Sequence, residues 1–209
     1  MMAALFAAII LGATACSGRT GAAVAPQVST TSRVESPPPP SPSQAPRAKP
    51  PADVKGQPLA RSAPVQLQIA SIGVDTTLMD LGLRADGTLQ VPSKGFPAGW
   101  YTGGPTPGQL GPAVIAGHVD MNGPGVFYNL HKMQPGELVI ITRADGSKPV
   151  FRVTRVAEYL KDKFPTKLVY GNIANAGLRL ITCGGTFNSK TGHYEDNIVV
   201  FADLISSAQ

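Results

Sequence analysis

A break in composition near residue 61 constrains this chain more than any other feature. Residues 17–61 contain no aromatic residue and hold ten of the 20 prolines, including Pro37-Pro38-Pro39-Pro40 and Pro50-Pro51. Such a segment cannot bury enough apolar surface to offset the entropy of ordering it. It is expected to be a disordered, polyproline-leaning tether. The folded unit is then residues 62–209, long enough for a core of its own.

The same break locates the charge. The chain carries a net +5, of which +4 falls within residues 1–61 and only +1 within residues 62–209. A nucleic-acid binder concentrates Lys and Arg on the folded face that docks, so a nucleic-acid partner is excluded. A basic tether suits an anionic membrane or wall polymer instead.

Residues 1–15 are almost wholly apolar and end in Ala13-Thr14-Ala15-Cys16. Fifteen residues fall short of the ~20 that cross a hydrocarbon core, so residues 1–16 are read as an export segment. The run resembles a bacterial lipobox, which implies a lipid-modified Cys16 at the mature N-terminus. Two departures from that pattern are the absence of Lys or Arg before the apolar run and Ala13 in place of Leu or Val. An ordinarily cleaved or uncleaved signal is the alternative. Export leaves Cys183 as an unpaired thiol in an oxidising compartment, a candidate reactive group.

Beyond residue 61 the pattern is that of short strands punctuated by Gly and Pro. Val65, Leu67 and Ile69 alternate with polar neighbours, the period of a half-buried strand. Further strands are expected at Thr88–Val91, Ala113–Gly117, Glu137–Thr142, Val150–Leu160, Leu178–Cys183 and Asn197–Leu204. Asp145-Gly146 between two β-rich runs is a hairpin signal. Helix is expected only near Val126–Leu130 and Thr166–Ala176. Seven or eight short strands without a long amphipathic helix predict a closed barrel or a sandwich.

Two apolar strand runs stop at chemically capable residues. Ala113-Val114-Ile115-Ala116-Gly117 runs into His118, and Leu178-Arg179-Leu180-Ile181-Thr182 runs into Cys183-Gly184-Gly185. A side chain at a strand end is held rigidly yet opens onto a cleft. Glycine after the nucleophile lets a substrate backbone approach and frees an N–H for an oxyanion. A Cys with a distant His is the minimum set for thiol acyl transfer: the thiolate attacks and the imidazole carries the proton. The bland reading of a strand cysteine is a small core hydrophobe.

Leu180-Ile181-Thr182-Cys183 matches the Leu-x-Thr-Cys signature of sortases. The likeness extends through Ile72-Gly73-Val74-Asp75, Leu83 to Leu89, Val91-Pro92, Trp100-Tyr101, Pro107-Gly108, Ala116-Gly117-His118, Val126 to Leu130, Gly136-Glu137 and Tyr194 to Val200. Thr182-Cys183-Gly184-Gly185 and Tyr194-Glu195-Asp196-Asn197 look most like the class E and F sortases of actinobacteria. The resemblance implies an eight-stranded closed β-barrel with short helices and no metal or other cofactor. It implies His118 and Cys183 as the catalytic pair, and cleavage of a Thr–Gly-like bond in the C-terminal sorting motif of a secreted protein. The acyl group then passes to an amine of peptidoglycan precursor or of a pilin, on the outer face of the membrane. Sortases usually carry an Arg on the strand after the Cys; here Glu195, Asp196 and Asn197 occupy that window. Asn197 is expected to supply an oxyanion donor instead, with Gly184 and Thr182 as further oxyanion or substrate contacts. Arg179 shares strand parity with Cys183 but lies four residues, about 13 Å, away.

Of the other histidines, His193 follows Cys183 closely enough to compete as the base, and His131 sits beside Lys132 as a surface residue. Three histidines and one free Cys make no zinc signature. Trp100 is expected as a core or rim aromatic in a loop. An L,D-transpeptidase, which also pairs Cys with His, is excluded because its Cys sits in a Ser-x-Gly-Cys-type turn. A non-catalytic surface lipoprotein on a degenerate barrel is the remaining alternative.

Overall fold

The structure, a computed structural model, describes residues 56–208. The export segment, Cys16 and residues 17–55 of the expected tether lie outside the described residues. The eight strands are β1 (Pro64–Ile69), β2 (Val74–Leu81), β3 (Ala98–Tyr101), β4 (Gly111–Ala116), β5 (Leu138–Arg143), β6 (Lys148–Leu160), β7 (Ala176–Asn188) and β8 (His193–Ala208), and one short helix, α1, spans Thr166–Tyr170. They close into a barrel in the order β1-β2-β3-β4-β7-β8-β6-β5. The β2–β3 and β4–β7 ladders are parallel and the others antiparallel.

Alternation decides what each strand buries. In β1, Leu67 and Ile69 point inward and are fully buried. They meet Val139, Ile141, Phe151, Leu178, Leu180 and Val200 in one interior core. The outer face of the β4–β7–β8 wall is apolar too, through Val114, Ile181, Val199 and Phe201, and is covered by Val169 of α1 with Phe164 and Tyr170. That cover explains why β4, Gly-Pro-Ala-Val-Ile-Ala, is apolar at consecutive positions: both of its faces are buried.

The β5–β6 hairpin turns where Asp145-Gly146 predicts it. Gly146 takes φ +85°, and Asp145 Oδ1 accepts from the Ser147 N–H at 3.0 Å. Several expectations need correction. Thr88–Val91 forms no strand, only an isolated Leu83–Leu89 bridge. β2 and β3 were not anticipated as strands: β2 carries exposed Asp75, Thr77 and polar neighbours, and β3 is only four residues long. Trp100 lies in β3 rather than a loop, 4% exposed, its indole N–H donating to the Pro105 carbonyl at 3.1 Å. Of the expected helices, α1 covers part of the second, and the first is a 3₁₀ turn shifted to Leu130–Lys132.

Residues 56–61, on the tether side of residue 62, already bond to the barrel. The N–H groups of Gly56 and Leu59 donate to Leu204 and Gly108, both at 2.8 Å. Arg143, 1% exposed, donates to the Ala60 and Ser62 carbonyls and pairs with Asp145 at 3.4 Å. Burial pushes its guanidinium below the usual value, and Asp145 offsets part of that cost.

Candidate active site

The parallel β4–β7 ladder positions the two expected catalytic residues. Val114 lies opposite Arg179 and Ala116 opposite Ile181. The Gly117 N–H still donates to the Ile181 carbonyl, at 3.1 Å. Continuing that register by two residues sets His118 beside Cys183. Both keep the parity of Val114 and Ile181, so both belong to the outer face of the wall. Cys183 is half-buried and His118 part-exposed, and they line one cavity of ≈ 530 Å³.

His118 is held at the backbone and at the ring. Its carbonyl accepts from the Phe127 N–H at 2.9 Å, and its Nε2 lies 2.7 Å from the Pro92 carbonyl. A carbonyl can only accept, so Nε2 carries the hydrogen and Nδ1 is the lone-pair nitrogen of the neutral ring. Gly117 and Gly125 are required here. A Cβ on Gly117 would come within 2.5 Å of Val126, and one on Gly125 within 2.4 Å of the His118 carbonyl.

Cys183 is not the last residue of its strand, as the apolar run suggests. β7 continues to Asn188 and pairs with β8 down to His193, with a register shift between Gly184 and Phe187. Gly185, at φ +72°, has no room for a Cβ beside Asp196. Gly184 is buried, and a Cβ there would meet Ile198 at 2.6 Å; close packing against β8 demands this glycine.

Asn197 lies directly opposite Cys183 across the antiparallel β7–β8 ladder, so their side chains share the outer face. Tyr159 of β6 follows in the same row. Thr182 has the other parity. It points inward with Leu178 and Leu180, is 4% exposed, and its Oγ1 has no hydrogen-bond partner among the described residues. The expected contact of Thr182 with substrate is therefore not offered by its side chain, which faces the interior.

Three features of the site were not anticipated. Lys161, in the 3₁₀ turn Lys161–Lys163 after β6, brings Nζ to 3.5 Å from Cys183 Sγ. Arg84, on the loop between β2 and β3, lines the cavity of His118 and Cys183. The Tyr194 hydroxyl donates to Asp120, which pushes the phenol above its ordinary value and ties β8 to the loop after His118. Sequence alone had no signal for these contacts, because each joins a loop to a distant strand. His193 is exposed at the rim of the same cavity, and His131 is exposed beside Cys183's opposite flank.

Arg179 is not part of the site. It is 6% exposed, its guanidinium carbon 4.6 Å from the Phe201 ring centroid and its Nη1 donating to the Leu178 carbonyl at 3.0 Å. Arg155 stacks on the same ring at 4.0 Å, and Arg152 lies in β6 opposite Asp203.

A second cavity, of ≈ 680 Å³, adjoins the first and shares Leu89, Lys161, Tyr170, Ile181 and Asn197 with it. Its far part is mainly apolar, lined by Leu83, Tyr101, Val114 and Phe164. Burial pushes the Tyr170 phenol up, keeping it neutral where the two cavities join. Together they form a groove with a polar, thiol-bearing end and an apolar end.

A closed eight-stranded barrel with a groove over a Cys on one strand and a His just past the end of its parallel neighbour defines a narrow class of protein. The Sortase domain model matches residues 67–205, well over half of the chain. The chain belongs to the sortase family. Among solved structures, sortase A from Corynebacterium diphtheriae, as a lid mutant, is similar at 20% identity, covering 70% of this chain and 72% of that one, with a TM-score of 0.53. SrtA sortase from Actinomyces oris is similar at 19% identity, covering 74% and 86%, with a TM-score of 0.54. Sortase C-1 from Actinomyces oris is similar at 18%, covering 67% and 72%, with a TM-score of 0.53. At these identities the likeness speaks to the fold. No curated protein sequence matches the chain.

Proposed function

We propose that this chain is a sortase-type cysteine transpeptidase acting through Cys183, with His118 as its general acid and base. The observation that carries the reading is the β4–β7 register, with its common outer face for the two side chains beneath one groove. The Cys183 thiolate attacks the carbonyl carbon of a Thr–Gly-like bond, and the carbonyl electron pair moves to oxygen. Collapse of that adduct expels the amine, to which His118 gives a proton, and leaves a thioester. An incoming amine then attacks the thioester, loses its proton to His118 and restores the thiolate. Asn197 donates its side-chain amide to the oxyanion, and a backbone N–H after Cys183 is the second donor.

The groove supports a peptide substrate. Its apolar end suits an apolar side chain upstream of the scissile bond, while the reacting carbonyl lies at the Cys183 end. The substrates are secreted proteins with a C-terminal sorting motif, and the acceptor is an amine of peptidoglycan precursor or of a pilin. The enzyme works on the outer face of the membrane, anchored through lipid on Cys16. The narrower likeness to class E and F sortases rests on the Thr-Cys-Gly-Gly and Tyr-Glu-Asp-Asn motifs.

A library of peptides holding a Thr–Gly bond, varied upstream, tests the reading. Thioacyl adducts on Cys183 and amine-dependent product are expected for a subset of the library. No adduct with any member would favour a non-catalytic barrel, the reading to which the Glu195-Asp196-Asn197 window points.

A further inference from the structure

The strand that pairs with the nucleophile supplies no cation, and neither does Arg179. A developing thiolate and oxyanion over an apolar wall still need one, because opposite charge stabilises them most where water is partly excluded. We propose that Lys161 is the cation of this site, its ammonium paired with the Cys183 sulfur and the adjoining oxyanion. The proposal rests on the transpeptidase reading for its oxyanion half; the contact with sulfur stands on geometry alone.

Three observations converge on Lys161. Its Nζ is 3.5 Å from Sγ, and this is the hydrogen-bond contact its ammonium makes among the described residues. Among the described residues no carboxylate lies within ion-pair distance of it, and the one such pair is Arg143–Asp145. Lys161 also lines both cavities, so its charge sits where the thiol end of the groove meets the apolar end.

The sheet explains how a residue just past the end of β6 reaches β7. Tyr159, Asn197 and Cys183 form one row across β6, β8 and β7, about 9–10 Å wide at two strand spacings. Beyond Leu160 the chain leaves the ladder in the Lys161–Lys163 turn, and the long lysine stem spans the row toward Sγ. A short, neutral Asn197 in the middle of the row leaves that path open. A large basic residue there would fill the path and repel the ammonium. A neutral residue in β8 and a lysine in the turn after β6 are thus two halves of one arrangement. His118, not Lys161, carries the transferred proton. The other charged and titratable groups around the thiol are His118, His131, His193, Arg84, Asp120, Glu158, Tyr128, Tyr170 and Tyr194.

The test compares full-length protein with Lys161→Met, Lys161→Arg and, as a surface-charge control, Lys163→Met. Cys183 is alkylated with anionic iodoacetate and with neutral iodoacetamide, and the ratio of the two rates reports the local field at Sγ. Lys161 is exposed, so these variants are expected to fold. Lys161→Met should lower the ratio about fivefold or more, while Lys161→Arg and Lys163→Met keep it near that of the parent. With a reactive peptide, Lys161→Met should also slow thioacyl formation about tenfold or more, and Lys161→Arg should restore most of it. A ratio unchanged in Lys161→Met, or lowered equally in Lys163→Met, overturns the proposal. A ratio that falls as expected in a protein no peptide acylates upholds the sulfur contact and refutes the transpeptidase reading instead.

Discussion

Arg179 lies toward one end of the outer face of β7 and Lys161 at the other, and the two cations are used in opposite ways. At the lower end Arg179 belongs to the strand itself, is buried, and stacks with Arg155 on Phe201. Burial and the neighbouring Arg155 push its guanidinium below the usual value, while Asp203 opposes them. At the upper end Lys161 belongs to a turn, is exposed, and reaches the Cys183 sulfur from two strands away. Strand parity names the face a residue occupies. Which cation reaches a reacting atom is decided by the connections that fold back over that face.

This contrast can be broken at either end, and the substitutions fall in a clear order. Cys183→Ala should abolish thioester formation and transfer while leaving the barrel folded, since a half-buried thiol contributes little packing. Product above background from this variant, with a native circular-dichroism spectrum, would rule out the covalent route. His118→Ala should slow both acylation and aminolysis by at least ~10²-fold, because one imidazole serves both steps. If His193→Ala is the more damaging change in single-turnover assays, the base has been misassigned. Asn197→Ala should cost about 2–4 kcal/mol in kcat/KM, the scale for losing one oxyanion donor. Unchanged kinetics would leave Asn197 as a spacer that keeps the lysine's path clear. At the far end, Arg179→Met should change kcat/KM by less than about threefold and leave thermal stability close to the parent's. Its charge serves no reacting atom, and an apolar side chain of similar length suits the Phe201 surface. A large loss of activity there would erase the distinction between the two ends.

Much of the wall that carries His118 and Cys183 was legible in the sequence, for a simple reason. Ala113–Gly117 is apolar at every position, and Leu178, Leu180 and Ile181 make Leu178–Thr182 mainly apolar, as strands covered on both faces require. The residues that interrupt them, His118 and Cys183, thereby stand out. Asn197 was legible as the start of a strand beside Cys183, although β8 begins four residues earlier, at His193. The extra length was hidden because His193-Tyr194-Glu195-Asp196 lacks an apolar alternation; its pairing shows in the structure, as in the Phe187–Tyr194 edge contact at 5.2 Å and the Asn188 amide donating to Glu195 at 3.3 Å.

Other parts of the site were illegible because their determinants are not local. Lys161-Asp162-Lys163 has the composition of any solvent-exposed turn, and nothing in it signals a thiol 22 positions away. Pro92 holds the His118 ring through a carbonyl oxygen, a contact no side chain advertises. Thr182 was misleading for the opposite reason. Its place in the Leu-x-Thr-Cys motif suggests a groove residue, but one step of strand parity turns its hydroxyl inward.

The central claim is that the side-by-side His118 and Cys183 carry out acyl transfer, and an intact-mass measurement tests it most directly. Full-length protein is mixed with a reactive Thr–Gly peptide, quenched in acid within a turnover and weighed, then digested to locate the adduct. A mass increase equal to the peptide's acyl part is predicted, confined to the fragment holding Cys183 and released by hydroxylamine. The adduct should form at least ~10²-fold more slowly in His118→Ala. An unmodified mass while product accumulates, or an adduct on any residue other than Cys183, would contradict the account.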